Sequence, residues 1–257
     1  MPGHFITARS ARQSFRLEDG EKVCILGSCL CDDFAARLTT EGNEVLSNPF
    51  GPLYNPVSIL TAVRRLSSAK PFTHEDCVKL GADKAHLTGS FEHYTKWARE
   101  SEEEFLRDAN EALCRAAAFW KDCRKLILVF YTAYVWEIDG KVVSNCLKRP
   151  ATEFRRRLLG TDETIRAMEA IAAEATGKEI LTMVCPIRQR GSDCRENTLG
   201  KATLQLALHS TGMDYFPMYE IVTDELRDYS FFTDTLIHPN GAAMDIVFER
   251  FIESCKR

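Results

Sequence analysis

The chain has 257 residues, is 45% hydrophobic and 27% charged, and carries a formal net charge of −4. That profile suits an ordinary globular protein with room for one α/β domain. Lys and Arg are scattered among Asp and Glu, which argues against a nucleic-acid groove or a polybasic membrane face.

No apolar run reaches the ~18 residues of a membrane span. The N-terminus, "MPGHFITARSARQSFRLEDGEK", has no apolar leader core, so the expected location is the cytoplasm. The chain has ten cysteines, several of them inside apolar patterns. They read as mostly free thiols acting as small hydrophobes in a reducing compartment. Cys29 and Cys31 form the one close pair and lack a second ligand pair at zinc spacing. No metal or other cofactor is expected.

Short apolar runs alternate with amphipathic helices, which predicts a mostly parallel sheet covered on both faces. The first strand is Val23 to Leu26, followed by a helix from about Cys31 to Thr40 that stops at Gly42. A short strand, Glu44 to Ser47, runs into the rigid loop Asn48-Pro49-Phe50-Gly51-Pro52. Pro56 opens a helix through about Leu66. Residues 70–96 are the least regular.

A long helix is predicted over 101–122, then a fully apolar strand from Leu126 to Phe130. Tyr134-Val135-Trp136, an Asp139-Gly140 turn and Val142-Val143 read as a hairpin. Thr161 or Asp162 should cap the next helix, which ends at Gly177. A strand from Ile180 to Val184, a helix from about Asn197 to Ser210, a short strand near Tyr215-Phe216 and a last helix starting at Asn240 complete the order.

Ligands of open α/β sheets bind beyond the carboxyl ends of the strands. In "KVCILGSCLCDDFAARL", Ser28 and Cys29 sit there, between the first strand and the first helix. The helix end favours a developing oxyanion, but a serine hydroxyl also needs a base. His238 in "DTLIHPNGAAM" is the best candidate, with Asp234 four residues before it as a group to orient the ring. A serine after glycine at such a junction is also a common helix cap. A thiol at Cys29 has the helix end that lowers a cysteine's pKa.

The sequence resembles the GSCFA family, an SGNH-hydrolase-like group, through "GSCLC", "VLSNPFGPLYNPVSI", "SFEHYT", "TAYVWEIDGKVVSNCLKRP", "EFRRRLL", "CPIRQ", "ENTLGKATL", "YFPMYEIVTDELRDYSFF" and "HPN". The likeness spans about residues 22 to 251, one domain with the stretch before residue 22 as an extension. It implies a three-layer α/β/α sandwich, SGNH-hydrolase-like and flavodoxin-like. It also implies a serine-dependent ester hydrolase or O-acyltransferase acting on an acylated carbohydrate, lipid or small ester.

Ser28 is then the nucleophile and His238 the base, with the oxyanion held by the Ser28 N–H, by Gly51 after the second strand, and by an asparagine, for which Asn145 is the choice. In SGNH-like geometry the residue after the nucleophile points into the packing, which favours Ser28 over Cys29. His93, Arg188 and Lys201 are candidate substrate contacts.

Several polar positions depart from the family pattern. The Asp expected three residues before the His is Thr235, and Tyr131, Leu147, Gln189 and Gly200 replace residues of other character. Such losses around an intact scaffold fit a shifted specificity. They also fit a protein that binds a sugar or acyl ligand without turning it over.

Overall fold

The computed structural model describes residues 14–189 and 193–256. The N-terminal stretch read above as an extension without a leader lies, up to residue 13, outside them.

Five parallel strands form the central sheet: β1 (Lys22–Gly27), β2 (Glu44–Ser47), β5 (Lys125–Phe130), β9 (Glu179–Val184) and β10 (Asp214–Tyr215), in the order β2-β1-β5-β9-β10. β5 is buried along its whole length, as its continuous apolar run predicts for a strand covered on both faces.

Alternation along β1 sends Cys24 and Leu26 to one face and Val23 and Ile25 to the other. On the first face pack α2 (Pro56–Ser68), α3 (Glu102–Asp122), α4 (Thr161–Glu174) and α5 (Glu196–Thr211), through Ile59, Phe105, Met168 and Leu204 among others. On the second pack α1 (Leu30–Thr40) and α7 (Gly241–Cys255), where the Phe34 ring meets Phe248 and Phe251 edge-on at 5.2 and 5.0 Å. The result is the expected three-layer α/β/α sandwich. The chain steps outward from β1 to β2, then crosses back to β5 on the other side. The order therefore reverses between β1 and β5, and such a reversal opens a crevice at the carboxyl edge.

Side-chain caps set three of the helix starts. Asn55 accepts from Ser58 N–H, Ser101 from Glu104 N–H and Asn240 from Ala243 N–H. The start of α4 differs from the expectation: the capping position is Gly160, and Thr161 is already helical.

The hairpin expected at 134–143 is present as β6 (Tyr134–Ile138) and β7 (Lys141–Val143). A third strand, β8 (Arg155–Leu158), pairs with the other edge of β6 and was not expected from its run of arginines. Arg157 pairs with Glu137 and Glu163, and Arg156 makes two hydrogen bonds to Glu196, so the charges are matched across elements.

The irregular region at 70–96 holds a two-stranded ribbon, β3 (Val78–Lys79) with β4 (Thr88–Gly89). Between β10 and α7 a short helix, α6 (Met218–Glu220), continues into a π-helical turn, Ile221–Leu226. Among the described residues no helix is long and apolar enough to cross a membrane.

Candidate active site

At the carboxyl edge, Gly27 ends β1 with φ +141°, a conformation glycine tolerates best. A Cβ there would stand 2.1 Å from the Val129 carbonyl oxygen of β5. Asn48, buried in the loop after β2, clasps the turn: its Oδ1 accepts from Gly27 N–H at 2.8 Å and its Nδ2 donates to the Ser28 carbonyl at 3.2 Å. Ser28 N–H donates to the Val129 carbonyl at 3.0 Å.

The turn so fixed buries Ser28 completely, at 0% exposure. Its hydroxyl accepts weakly from Leu30 N–H at 3.4 Å and, beside the buried Cys185 thiol, favours that group's thiolate form. Ser28 is thus sealed beneath the surface, and its N–H is committed to β5. The expectation that the serine faces the base, and that the next residue turns into the packing, is reversed. The half-buried Cys29 opens on the surface, with Sγ 4.0 Å from His238 Nε2.

Cys29 and His238 border a cleft of about 300 Å³ with Tyr54, Tyr131, Ile187, Arg188 and Ile237. Each sits on a loop at the carboxyl edge, after β1, β2, β5 and β9 or before α7. Tyr131 N–H and Thr132 N–H both donate to the Tyr54 carbonyl, and the two phenol rings meet edge-on at 5.5 Å. Arg188 N–H donates to the Ile237 carbonyl, which ties the β9 loop to the histidine loop.

Burial, then the neighbouring Cys185, pushes the Cys29 thiol up to about 11. The N–H groups of Cys29 and Leu30 at the start of α1 oppose this by favouring the thiolate. Burial pushes the Tyr54 phenol up to about 12 and that of Tyr131 higher, so both are neutral donors near pH 7.

Several expected contacts are elsewhere. Asp234 is exposed and makes no hydrogen bond or ion pair with His238 among the described residues. Gly51 is no oxyanion donor, because its N–H donates to the Asn48 carbonyl. Its bare Cα, at φ +103°, instead lets Tyr94 pack over it.

His93 is fully buried, boxed by Phe50, Phe72, Trp97 and Phe105, with Nδ1 on Ser90 Oγ at 2.8 Å. Burial lowers its pKa to about 3. Lys201 is buried as well. Its ammonium donates to the carbonyls of Tyr131 and Cys185, joining the ends of β5 and β9 below the cleft. Asn145 lines a different cavity, and its Oδ1 accepts from Leu147 N–H and Thr95 Oγ1.

Of the eight candidate positions, the cleft therefore gathers His238 and Arg188. Sequence reasoning did not assign Tyr54, Ile187 or Ile237 to it. Their one signal is position just past a strand or just before the last helix.

The GSCFA family profile matches residues 22–251. No curated protein matches the chain. Among solved structures it is similar to the psychrotrophic esterase EstA from Pseudoalteromonas sp., in a structure inhibited by monoethylphosphonate, with 8% identity and a TM-score of 0.42 over 91% of this chain and 96% of that one. A likeness that distant carries no information about chemistry.

Proposed function

The chain belongs to the GSCFA family, and from that premise we propose that it is an acyl-transfer enzyme, an esterase or acyltransferase, with Cys29 as nucleophile in place of the expected Ser28 and His238 as base. The carrying observation is the approach of Cys29 Sγ to His238 Nε2 in an open cleft at the β1–β5 reversal. A separation of 4.0 Å is loose, as such contacts often are before substrate binds.

In the proposed reaction the Cys29 thiol gives its proton to His238 as sulfur bonds to the ester carbonyl carbon, and the carbonyl electron pair moves to oxygen. The N-terminus of α1 favours that negative oxygen. Collapse re-forms the carbonyl and expels the alcohol, which takes the proton from His238. Water or a second alcohol, giving a proton to His238, then attacks the thioester; collapse releases the acid or new ester, and the departing sulfur takes the proton back from His238. Because the resting thiol is neutral, proton removal accompanies attack. The exposed Arg188 and the two phenols are the polar groups at hand for substrate. The ester itself is read as a small molecule, glycan or lipid.

The raised thiol and the absent Asp234 contact favour a second reading, a protein that binds an acyl ligand without turnover. One experiment separates the two. The protein is treated with 4-nitrophenyl acetate, quenched in acid and peptide-mapped. An acetyl group on Cys29 is expected, retained in Ser28→Ala, absent in Cys29→Ala, and formed about 10²–10⁴-fold more slowly in His238→Ala. An adduct on Ser28 would restore the serine assignment, and none on either would leave the binding reading.

A further inference from the structure

A second cavity, of about 540 Å³, is lined by Lys84, Lys96 and Lys148 together with Tyr94, Thr95 and Asn145, and no carboxylate side chain lines it. Three lysines line this one cavity on a chain of net charge −4. Six other lysines are partnered: Lys22, Lys125 and Lys256 pair with carboxylates, Lys79 donates to Thr88 Oγ1, and Lys178 and Lys201 donate to carbonyls. Among the described residues none of Lys84, Lys96 and Lys148 has an ion-pair partner.

The backbone there is also unusual. Leu147 and Lys148 both adopt positive φ, 52° and 60°, and Leu147 is buried in that conformation. Non-glycine residues held this way concentrate at ligand sites. Asn145 fastens the turn through Oδ1, and its Nδ2 has no partner among the described residues.

Contacts run from this cavity toward the Cys29 cleft. Tyr94, on its wall, packs over Gly51 and donates its N–H to the Phe50 carbonyl. Tyr54, three residues on from Gly51, lines the cleft and lies within electrostatic range of both Tyr94 and Cys29.

We infer that this cavity is a subsite for a phosphate group carried by the substrate that is attacked in the Cys29 cleft. The inference rests, for the attack itself, on the function proposed above. Compact ammonium charges with hydroxyl and amide donors suit the dispersed oxygens of a phosphate dianion. A planar carboxylate prefers the fork of an arginine.

The test compares the full chain with a Lys84→Gln/Lys96→Gln/Lys148→Gln variant, whose changes fall on exposed side chains. Calorimetric titration with pyrophosphate should give saturable binding at least tenfold weaker in the variant, with 4-nitrophenyl acetate labelling of Cys29 equal in both. Equal binding, or none to the unaltered chain, overturns the subsite. Turnover of 1-butyryl-glycerol 3-phosphate is then compared with that of monobutyrin. The phosphorylated ester should be preferred at least tenfold in kcat/KM by the unaltered chain, and less than twofold by the variant.

If lysine-dependent binding occurs without that preference, the phosphate belongs to a separate effector and the substrate assignment falls. If Cys29 accepts no acyl group while pyrophosphate still binds through the lysines, the catalytic reading falls and the phosphate subsite stands alone.

Discussion

Ser28 and Cys29 are adjacent, yet one is sealed and the other faces His238, and the reason is the turn that carries them. Gly27 leaves β1 at φ +141°, and the Ser28 N–H continues the pairing with β5 for one more residue. The serine is therefore still part of the sheet edge, and Cys29 is the first side chain past it. His93 shows the same limit on reading single residues. It looked like a pocket group and is a neutral ring in an aromatic box.

Burial depresses the His93 folded pKa from 6.5 to about 3. Both states are neutral above pH 6.5. Below it the unfolded chain takes a proton that the folded chain refuses, so stability falls as pH drops from 6.5 toward 3, by up to about 1.4 kcal/mol per pH unit. Urea unfolding at pH 7 and pH 5 should show this loss, and His93→Phe should shrink the gap between the two midpoints. An unchanged gap would mean that the ring is protonated in place.

At the scale of elements, the site depends on how closely β1 and β5 approach. Gly27→Ala adds a methyl into the Val129 carbonyl at a positive φ. Forcing the strands apart and holding alanine there should cost roughly 3 kcal/mol or more in urea unfolding. Cys29 acetylation should slow with it, because the α1 start moves relative to His238.

The elements themselves were largely legible. The apolar run of β5, the period of α3 and the cap at Asn240 each carry their own local signal. β8 did not, because a run of arginines has no alternation. Its partners Glu137, Glu163 and Glu196 lie in three other elements.

Over the whole molecule, one sheet serves two apolar layers, and neither layer is complete without the strands it shares. Phe34 lies in one layer and Phe105 in the other, both fully buried. Truncating either to alanine should cost about 3–5 kcal/mol. Both variants should shift one common transition, followed by tryptophan fluorescence and far-ultraviolet circular dichroism. Two separated transitions in either variant would mean that the layers unfold independently.

The sequence by itself determined the order of the central strands and the main helices, the parallel sheet with two covered faces, the family, and the loops at the carboxyl edge that carry the candidate site. These follow from periodicity, caps and contiguous motifs, all local along the chain. The tertiary structure alone decided which of two neighbouring residues meets His238, that Asp234 makes no bond to it among the described residues, that His93 and Lys201 are interior, and that three lysines share one cavity. Those outcomes depend on side-chain direction at turns and on distances between loops from different strands, and a pattern of residue types encodes neither.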